Sequence, residues 1–240
     1  MRRRFFVQQQ FTANSATMGG EAAHHLGRVL RAQPGQLYEL SDGRQVRLAR
    51  VEKVSRDRVD FTLLDEIPAL APTLDITLLL SIVKFDAFEW ALEKATELGV
   101  TAIVPLAAAR SEKALLAAAN KRAERWKKIL VEAAQQSRRL RVPILRGIAQ
   151  PAEAFAAQAD VVKIMLSERP GAPPLRQIFE GQPARQQAAL AIGPEGGWTD
   201  DELAAAKSGG FREASLGRLI LRTETAVIAA LAALNYALTE

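Results

Sequence analysis

Two glycine-containing turns near the end of the chain have the residue types and spacing to do chemistry. The first is Gly193-Pro194-Glu195-Gly196-Gly197, which ends an apolar run, and the second is centred on Gly217. Such turns cannot continue a strand, and they expose bare backbone to a neighbouring molecule. Helices are predicted to follow both, because Thr199 with Glu202 matches a capping box and Thr223 is a candidate N-cap. The arrangement predicts one small-molecule site built largely from backbone.

The turns do not match the common nucleotide-binding motifs. No G-K-[ST] follows the first turn, so it is not a P-loop, and no G-x-G-x-x-G follows a predicted strand. An ordinary dinucleotide site or Rossmann-type methyl-donor site is therefore not predicted. The chain has no cysteine, which excludes disulfides, thiolate metal sites and cysteine nucleophiles. The adjacent histidines His24 and His25 point in different directions on a helix, so no metal site is expected.

Positive charge is concentrated in the middle of the chain. The net charge is +5 and the sequence pI about 9.7, and residues 110–146 hold eleven Lys and Arg against three Glu. A basic stripe of this kind suits a polyanion such as RNA. A solvated helix face is the commoner explanation of a charge run. The polyanion is favoured here because the stripe accompanies a separate small-molecule signature.

The chain divides into two parts of different character. Residues 1–70 alternate short strand patterns with turns and include one helix, which predicts a small β-barrel. Residues 68–72 are predicted to be a linker. In residues 73–240, apolar strands alternate with helices, starting with the run 74–83, which predicts a parallel α/β sheet. No run approaches the length of a membrane span or resembles a signal peptide, so we expect a cytoplasmic protein.

The paired turns resemble the C-terminal signature of the SPOUT methyltransferases, and more narrowly that of the RsmE family (ribosomal RNA small subunit methyltransferase E). That family shows G-P-E-G-G followed by S-L-G-x-x-I-L-R-x-E-T-A, found here at 193–197 and 215–226. The likeness includes R-R-F-F-V at 3–7, A-H-H-L-G-R-V-L-R at 23–31 and K-A-T-E-L-G-V at 94–100. It therefore spans nearly the whole chain.

The resemblance implies a fold and an activity. The fold is an α/β SPOUT methyltransferase domain with a C-terminal trefoil knot at residues 73–240, preceded by a PUA-like β-barrel RNA-binding domain at 1–70. The protein is expected to be a homodimer in which both subunits line each active site. The activity is methylation of N3 of a uridine in 16S rRNA of the assembled small ribosomal subunit, with S-adenosylmethionine (SAM) as donor. The lack of cysteine agrees, because methylation at carbon 5 of a pyrimidine usually needs a cysteine adduct.

The site residues follow from the same motifs. Those expected to bind SAM are Leu166, Ser167, Gly193, Pro194, Glu195, Gly196, Leu216, Gly217, Ile220, Leu221 and Thr225. The catalytic candidates are Arg222, Thr223 and Glu224, although the helix dipole alone also favours a carboxylate at Glu224. Arg222 could hold the methionine carboxylate or an RNA phosphate, or stabilise the uridine anion. Candidates for RNA contact are Arg3, Arg4, His25, Arg28, Arg31, Lys84, Arg110, Arg139 and Arg141.

Two alternatives stay open. The first is a SPOUT enzyme that methylates the ribose 2′-hydroxyl, which should lack the barrel together with K-A-T-E-L-G-V. The second is a non-catalytic RNA-binding protein that kept the fold, which a damaged glycine turn would indicate. The chain departs from the family pattern at Phe85 and Ala87, where a glycine and a basic residue are usual, and at Arg138, which replaces a glycine. These departures fall outside the expected donor pocket.

Overall fold

The computed structural model of the chain describes residues 3–7, 11–69, 74–159, 162–179 and 187–238. The chain forms two compact units, one of residues 1–71 with 134–142 and the other of residues 72–133 with 143–240. The predicted linker lies partly outside the described residues, since 70–73 are among those not covered. Segment 134–142 belongs to the smaller unit although it is distant in sequence.

Five strands form the sheet of the smaller unit. They are β1 (Arg4–Phe6), β2 (Ser15–Gly19), β3 (Leu37–Ser41), β4 (Val46–Val54) and β5 (Arg58–Ile67). Their order is β1-β3-β4-β5-β2, with β1 and β3 parallel and the other neighbours antiparallel. Alternating apolar side chains from these strands, including Leu40, Val51 and Phe61, form one buried core.

One helix interrupts these strands, as the sequence predicted. It begins as α1 (Gly20–His24) and continues as a π-helical turn over His25–Val29, where the Leu30 N–H donates to the His25 oxygen at 3.0 Å. Such turns are rare and occur often at functional sites. The turn leaves the side chains of His25 and Arg28 exposed while Leu26 is buried in the core.

A buried carboxylate joins β3 to segment 134–142 within the smaller unit. Glu39 is 5% exposed, and it forms ion pairs with Arg4, at 2.9 Å, and with Arg138. The Arg4 guanidinium also donates to the backbone oxygen of Arg138. Arg138 has a φ of 57°, in the left-handed region where glycine is favoured, and it stands where the resemblance led us to expect a glycine.

The larger unit contains a six-stranded sheet in which all neighbours are parallel. Its strands are β6 (Asp75–Ser81), β7 (Ala102–Leu106), β8 (Ile144–Leu145), β9 (Val162–Leu166), β10 (Gln187–Ile192) and β11 (Arg212–Ala214). The order is β11-β9-β10-β6-β7-β8. The central strands are nearly continuous runs of buried apolar residues, as strands covered on both faces require.

The remaining α-helices alternate with these strands. They are α2 (Phe85–Glu97), α3 (Lys113–Ala119), α4 (Ala123–Gln136), α5 (Pro151–Ala156), α6 (Arg176–Phe179), α7 (Asp200–Ser208) and α8 (Thr223–Leu238). Helix α8 packs against α2, and the Asn235 side chain donates to the Leu98 oxygen at 2.8 Å. Within the described part of the chain, no helix is long and apolar enough to cross a membrane.

Candidate active site

A cavity of about 980 Å³ opens at the carboxyl ends of β9 and β10. Its walls come from the loop after β9, the loop after β10 and the segment between β11 and α8. The volume lies at the top of the range for small-molecule sites, about 300–1,000 Å³. Ligands of parallel sheets bind at this edge, so the two glycine turns meet where such a site is expected.

Most of the residues predicted to bind SAM line this cavity. The residues in its wall are Leu166, Ser167, Gly193, Pro194, Glu195, Gly196, Leu216, Gly217, Ile220 and Leu221. Thr225 does not line it, while Ala226, one position further along α8, does. The wall after Ser167, which includes Glu168 and Arg169, was not predicted from the sequence. This wall was predictable, because ligands of parallel sheets bind at the carboxyl ends of the strands and this loop follows the carboxyl end of β9.

Residues 193–198, here called the glycine loop, are held by Trp198. The indole Nε1 donates to the Leu166 oxygen at 2.9 Å, so the loop is tied to the end of β9. The ring also lies close to Gly193, where an added Cβ would be 3.0 Å from ring atom Cε2. Within the loop, the Gly197 N–H donates to the Pro194 oxygen at 2.8 Å, and Gly197 has a φ of 69°. Glycine is therefore favoured at 193, where a side chain would press on the Trp198 ring, and at 197 for its conformation.

The capping box that was predicted for α7 is present. The Thr199 hydroxyl accepts from the Glu202 N–H, and the Glu202 carboxylate accepts from the Thr199 N–H at 2.8 Å. The other oxygen of this buried carboxylate accepts from the Ala109 N–H, also at 2.8 Å. One side chain thus fixes both the start of α7 and the loop after β7.

Arg110 follows in that same loop and is directed at the glycine loop. Its Nη1 donates to the Gly196 oxygen at 2.8 Å and to the Trp198 oxygen at 3.2 Å. Its aliphatic part covers Gly196, where an added Cβ would lie 3.2 Å from the Arg110 Cβ. Arg110 also lines the cavity. The structure therefore brings a residue predicted to contact RNA into the wall of the small-molecule site.

The second turn leaves its backbone donors available. Gly217 has a φ of 139°, and no N–H of residues 216–221 has a hydrogen-bond partner among the residues that the structure describes. The side chains of Leu219 and Ile220 are 82% and 78% exposed. This segment can therefore offer backbone N–H groups to a ligand on one side and apolar surface on the other.

Helix α8 begins at Thr223, one residue earlier than an N-cap at Thr223 would place its start. The Ala226 N–H donates to the Arg222 oxygen at 2.9 Å, so Arg222 is the N-cap residue and Thr223 is the first residue inside the helix. The buried Thr223 hydroxyl instead donates a hydrogen bond to the Gly193 oxygen at 3.4 Å. The prediction of Thr223 as N-cap is wrong, because its hydroxyl is used across the cavity wall and not on its own helix.

Of the three catalytic candidates, Arg222 and Thr223 line the cavity and Glu224 does not. Two carboxylates, Glu168 and Glu195, do line it. In the described ranges there is no group of three or more His, Cys, Asp or Glu that could hold a metal ion. The chemistry that the wall offers is therefore that of backbone donors, arginine cations and carboxylates.

The candidates for RNA contact occupy different environments. Those with exposed side chains are Arg3, His25, Arg28, Arg31, Lys84, Arg110 and Arg141. Arg4 is 6% exposed and its guanidinium bonds Glu39, so its charge faces protein and not solvent. Arg139 is half-buried, and this burial lowers the pKa of its guanidinium to about 10. Arg141 donates through Nε to the Gly43 oxygen.

Comparison with known proteins agrees with this geometry. The family described as "RNA methyltransferase domain" matches residues 70–235, and that described as "RNA methyltransferase PUA domain" matches residues 19–64. The fold is therefore that of an RNA methyltransferase that carries a PUA domain.

Individual relatives identify the family within this class of RNA methyltransferases. The ribosomal RNA small subunit methyltransferase E of Bacillus subtilis is 31% identical over 97% of this chain and 96% of its own length. That of Synechocystis is 33% identical over 95% of this chain and 75% of its own. The crystal structure of the Neisseria gonorrhoeae enzyme of that name, bound to SAM, matches with a TM-score of 0.87 and 32% identity, covering 98% of both chains. The chain belongs to the ribosomal RNA small subunit methyltransferase E family.

Proposed function

We propose that the protein transfers the methyl group of SAM to N3 of a uridine in the 16S rRNA of the assembled small ribosomal subunit. The observation that carries the proposal is the meeting of both glycine turns in one cavity at the carboxyl edge of the parallel sheet. A member of the same family was crystallised with SAM bound.

The residues around the cavity fit this donor. Gly217, where an added Cβ would meet nothing within 4 Å, lets backbone approach a flat ring, and the N–H groups of 216–221 supply donors for its polar edge. Leu166 and Ile192, both buried, provide apolar wall against the ring faces. When bound, SAM supplies an electrophilic methyl group on a sulfonium. Methyl transfer would release S-adenosylhomocysteine as the leaving group and the N3 proton to solvent, so the protein has to hold the acceptor nitrogen in line with the methyl group and favour its deprotonated form.

Arg222 is the residue best placed to assist deprotonation. The N3 proton of uridine has a pKa above neutrality, so a cation that stabilises the anion favours the reactive form. Arg222 lines the cavity at the start of α8, and its side chain is exposed to an incoming nucleotide. Thr223 fixes the start of α8 against Gly193, and Glu224 lies in the first turn, where the helix dipole favours a carboxylate. Proximity and electrostatics supply most of the catalysis.

The smaller unit is proposed to bind the rRNA. His25 and Arg28 lie on the π-helical turn, and Arg31 follows it with a φ of 52°, so the three exposed side chains come from one short segment. Arg3 adds a further exposed cation. In the larger unit, Lys84 stands exposed at the start of α2. These groups supply the sequence-independent attraction to phosphate on which RNA binding depends. Because the proposed substrate is ribosomal, the proposed location is the cytoplasm.

A homodimer is proposed for the active form. Leu219 and Ile220 line the cavity and are almost fully exposed, and Trp90 and Tyr236 add apolar surface, at 43% and 91% exposure. A second copy that covers this surface would also close the cavity, so both subunits would line each site. The SPOUT resemblance extends the proposal to a trefoil knot formed by the last loops of the chain.

Methyl transfer from labelled SAM to small ribosomal subunits, purified from a strain lacking this gene, tests the proposal. Nucleoside mass spectrometry of the product is expected to show 3-methyluridine. A ribose-methylated nucleoside would assign the protein to the 2′-O class instead. Transfer to free 16S rRNA at the same rate as to subunits would contradict the assembled substrate, and the lack of any SAM binding would overturn the enzymatic function.

A further inference from the structure

Arg110 lies where it can control the shape of the donor site. It follows β7 in the larger unit, and both of its described hydrogen bonds go to backbone oxygens of the glycine loop, those of Gly196 and Trp198. These oxygens flank Gly197, whose left-handed backbone reverses the chain. A planar guanidinium that bonds on both sides of a reversal fixes its two arms relative to each other.

The loop that carries Arg110 is itself held in place. The Ala109 N–H donates to the Glu202 carboxylate at 2.8 Å, and the Ser111 hydroxyl donates to the Ile82 oxygen at 2.7 Å. Both Glu202 and Ser111 are buried. Arg110 is therefore anchored at both neighbours, and its side chain extends from a fixed base.

Gly196 completes the contact. Its missing side chain makes room for the stem of Arg110, because an added Cβ would lie 3.2 Å from the Cβ and 3.4 Å from the Cδ of Arg110. Arg110 therefore supports the glycine loop through packing and through hydrogen bonds.

We propose that Arg110 is a positioning residue for SAM: it holds the glycine loop in the conformation that binds the donor, and it acts through that loop. The inference rests on the proposed SAM site, and it changes the role expected for Arg110 from RNA contact to donor binding.

The charge of SAM makes the proposal distinguishable from a purely electrostatic role. SAM carries one more positive than negative charge, so removing a cation from the cavity wall should by itself strengthen its binding. If Arg110 positions the loop, its removal should weaken binding instead. On removal of Arg110, the affinity for S-adenosylhomocysteine, which lacks the sulfonium charge, should fall at least as much as the affinity for SAM.

The experiment compares Arg110→Ala, Arg110→Lys and the control Lys113→Ala in the full-length protein. Lys113 is an exposed cation three positions away without a described bonding partner. Calorimetry is expected to show a SAM Kd raised roughly tenfold in Arg110→Ala, since two hydrogen bonds to a charged donor are lost. Arg110→Lys should be intermediate, because an ammonium can donate to both oxygens but the lysine side chain is shorter than that of arginine, and Lys113→Ala should be unchanged.

Hydrogen exchange of the free protein separates positioning from direct contact with the ligand. The Gly197 N–H, which bonds the Pro194 oxygen, is expected to exchange faster in Arg110→Ala without any ligand present. Unchanged exchange together with a raised Kd would mean that Arg110 touches SAM directly and would overturn the proposal. An unchanged SAM Kd together with a raised KM for ribosomal subunits would show that Arg110 acts in RNA binding, and it would overturn the proposal. If the wild-type protein binds no SAM, the proposed SAM site is refuted. Faster exchange of the Gly197 N–H in Arg110→Ala would then still show that Arg110 positions the glycine loop.

Discussion

The indole ring of Trp198 occupies the space that a side chain at Gly193 would need. A Cβ on Gly193 would lie 3.0 Å from Cε2 and 3.1 Å from Nε1 of the ring. The same ring nitrogen donates to the Leu166 oxygen, so the glycine and the tryptophan together bring two walls of the cavity into contact. The first and last residues of the glycine loop are therefore coupled to each other and to β9.

Gly193→Ala should weaken SAM binding by forcing this ring to move. The ring is 7% exposed and has little room, so overpacking is expected to cost about 1–3 kcal/mol of folding free energy. Calorimetry with SAM and thermal unfolding check the two effects. Gly147→Ala is the matched control, since nothing lies within 4 Å of a Cβ there. Equal SAM affinity in the two variants would contradict the coupling.

Trp198→Phe should lose the hydrogen bond to the Leu166 oxygen together with the part of the indole that lies against Gly193. The loss is expected to cost about 1 kcal/mol of stability and to raise the SAM Kd several-fold, because the carbonyl at the cavity wall is left without its donor. Denaturant unfolding and calorimetry measure both quantities. Trp126→Phe makes the same substitution at a buried indole whose Nε1 has no hydrogen-bond partner among the described residues, and there the SAM Kd should stay unchanged.

Glu202→Gln should destabilise the larger unit by about 1–2 kcal/mol, because an amide cannot accept at both of its ends. The carboxylate now accepts from the N–H groups of Ala109 and Thr199 at 2.8 Å each. Thermal unfolding should show the loss, and exchange of the Ala109 N–H should accelerate. Asp201→Asn, an exposed change in the same helical turn, should have little effect. A similar loss in both variants would attribute the effect to helix charge alone.

The free energy of unfolding should be about 1 kcal/mol higher for Arg138→Gly than for Arg138→Ala, because φ at this position is 57°. Both variants lose the ion pair with Glu39, so their difference isolates the backbone. Urea unfolding of Arg138→Gly and Arg138→Ala measures it. The same pair at exposed Arg146, which lacks a positive φ, should show the opposite order. Alanine equal to glycine at Arg138 would show that this segment relaxes at no cost.

Local turn and helix chemistry was predictable from the sequence. The glycine turns, the capping box of Thr199 and Glu202 and the alternation of apolar strands with helices each depend on residues close together in the chain, and each is found. The α/β fold with a PUA-like domain and the family followed from the resemblance, and the comparisons confirm both, while the trefoil knot stays a prediction.

Long-range partners were not predictable in the same way. Arg4 and Arg110 were assigned to RNA because they are cationic, but Arg4 bonds Glu39 and Arg110 bonds Gly196, partners 35 and 86 residues away. A charged residue in a sequence indicates that a partner is needed, but it does not identify that partner. Trp198 carries no motif of its own, so its role emerged only when β9 and β10 were seen side by side.

The order of the parallel sheet has a consequence for synthesis on the ribosome. Strand β6 lies between β7 and β10, so one of its edges stays unpaired until residues 187–192 have been made. At ordinary rates of translation, the chain between Ser81 and Gln187 takes on the order of 5–20 seconds to emerge. During that interval the nascent chain carries an unpaired apolar strand, which is a target for chaperones and for misassociation between neighbouring chains.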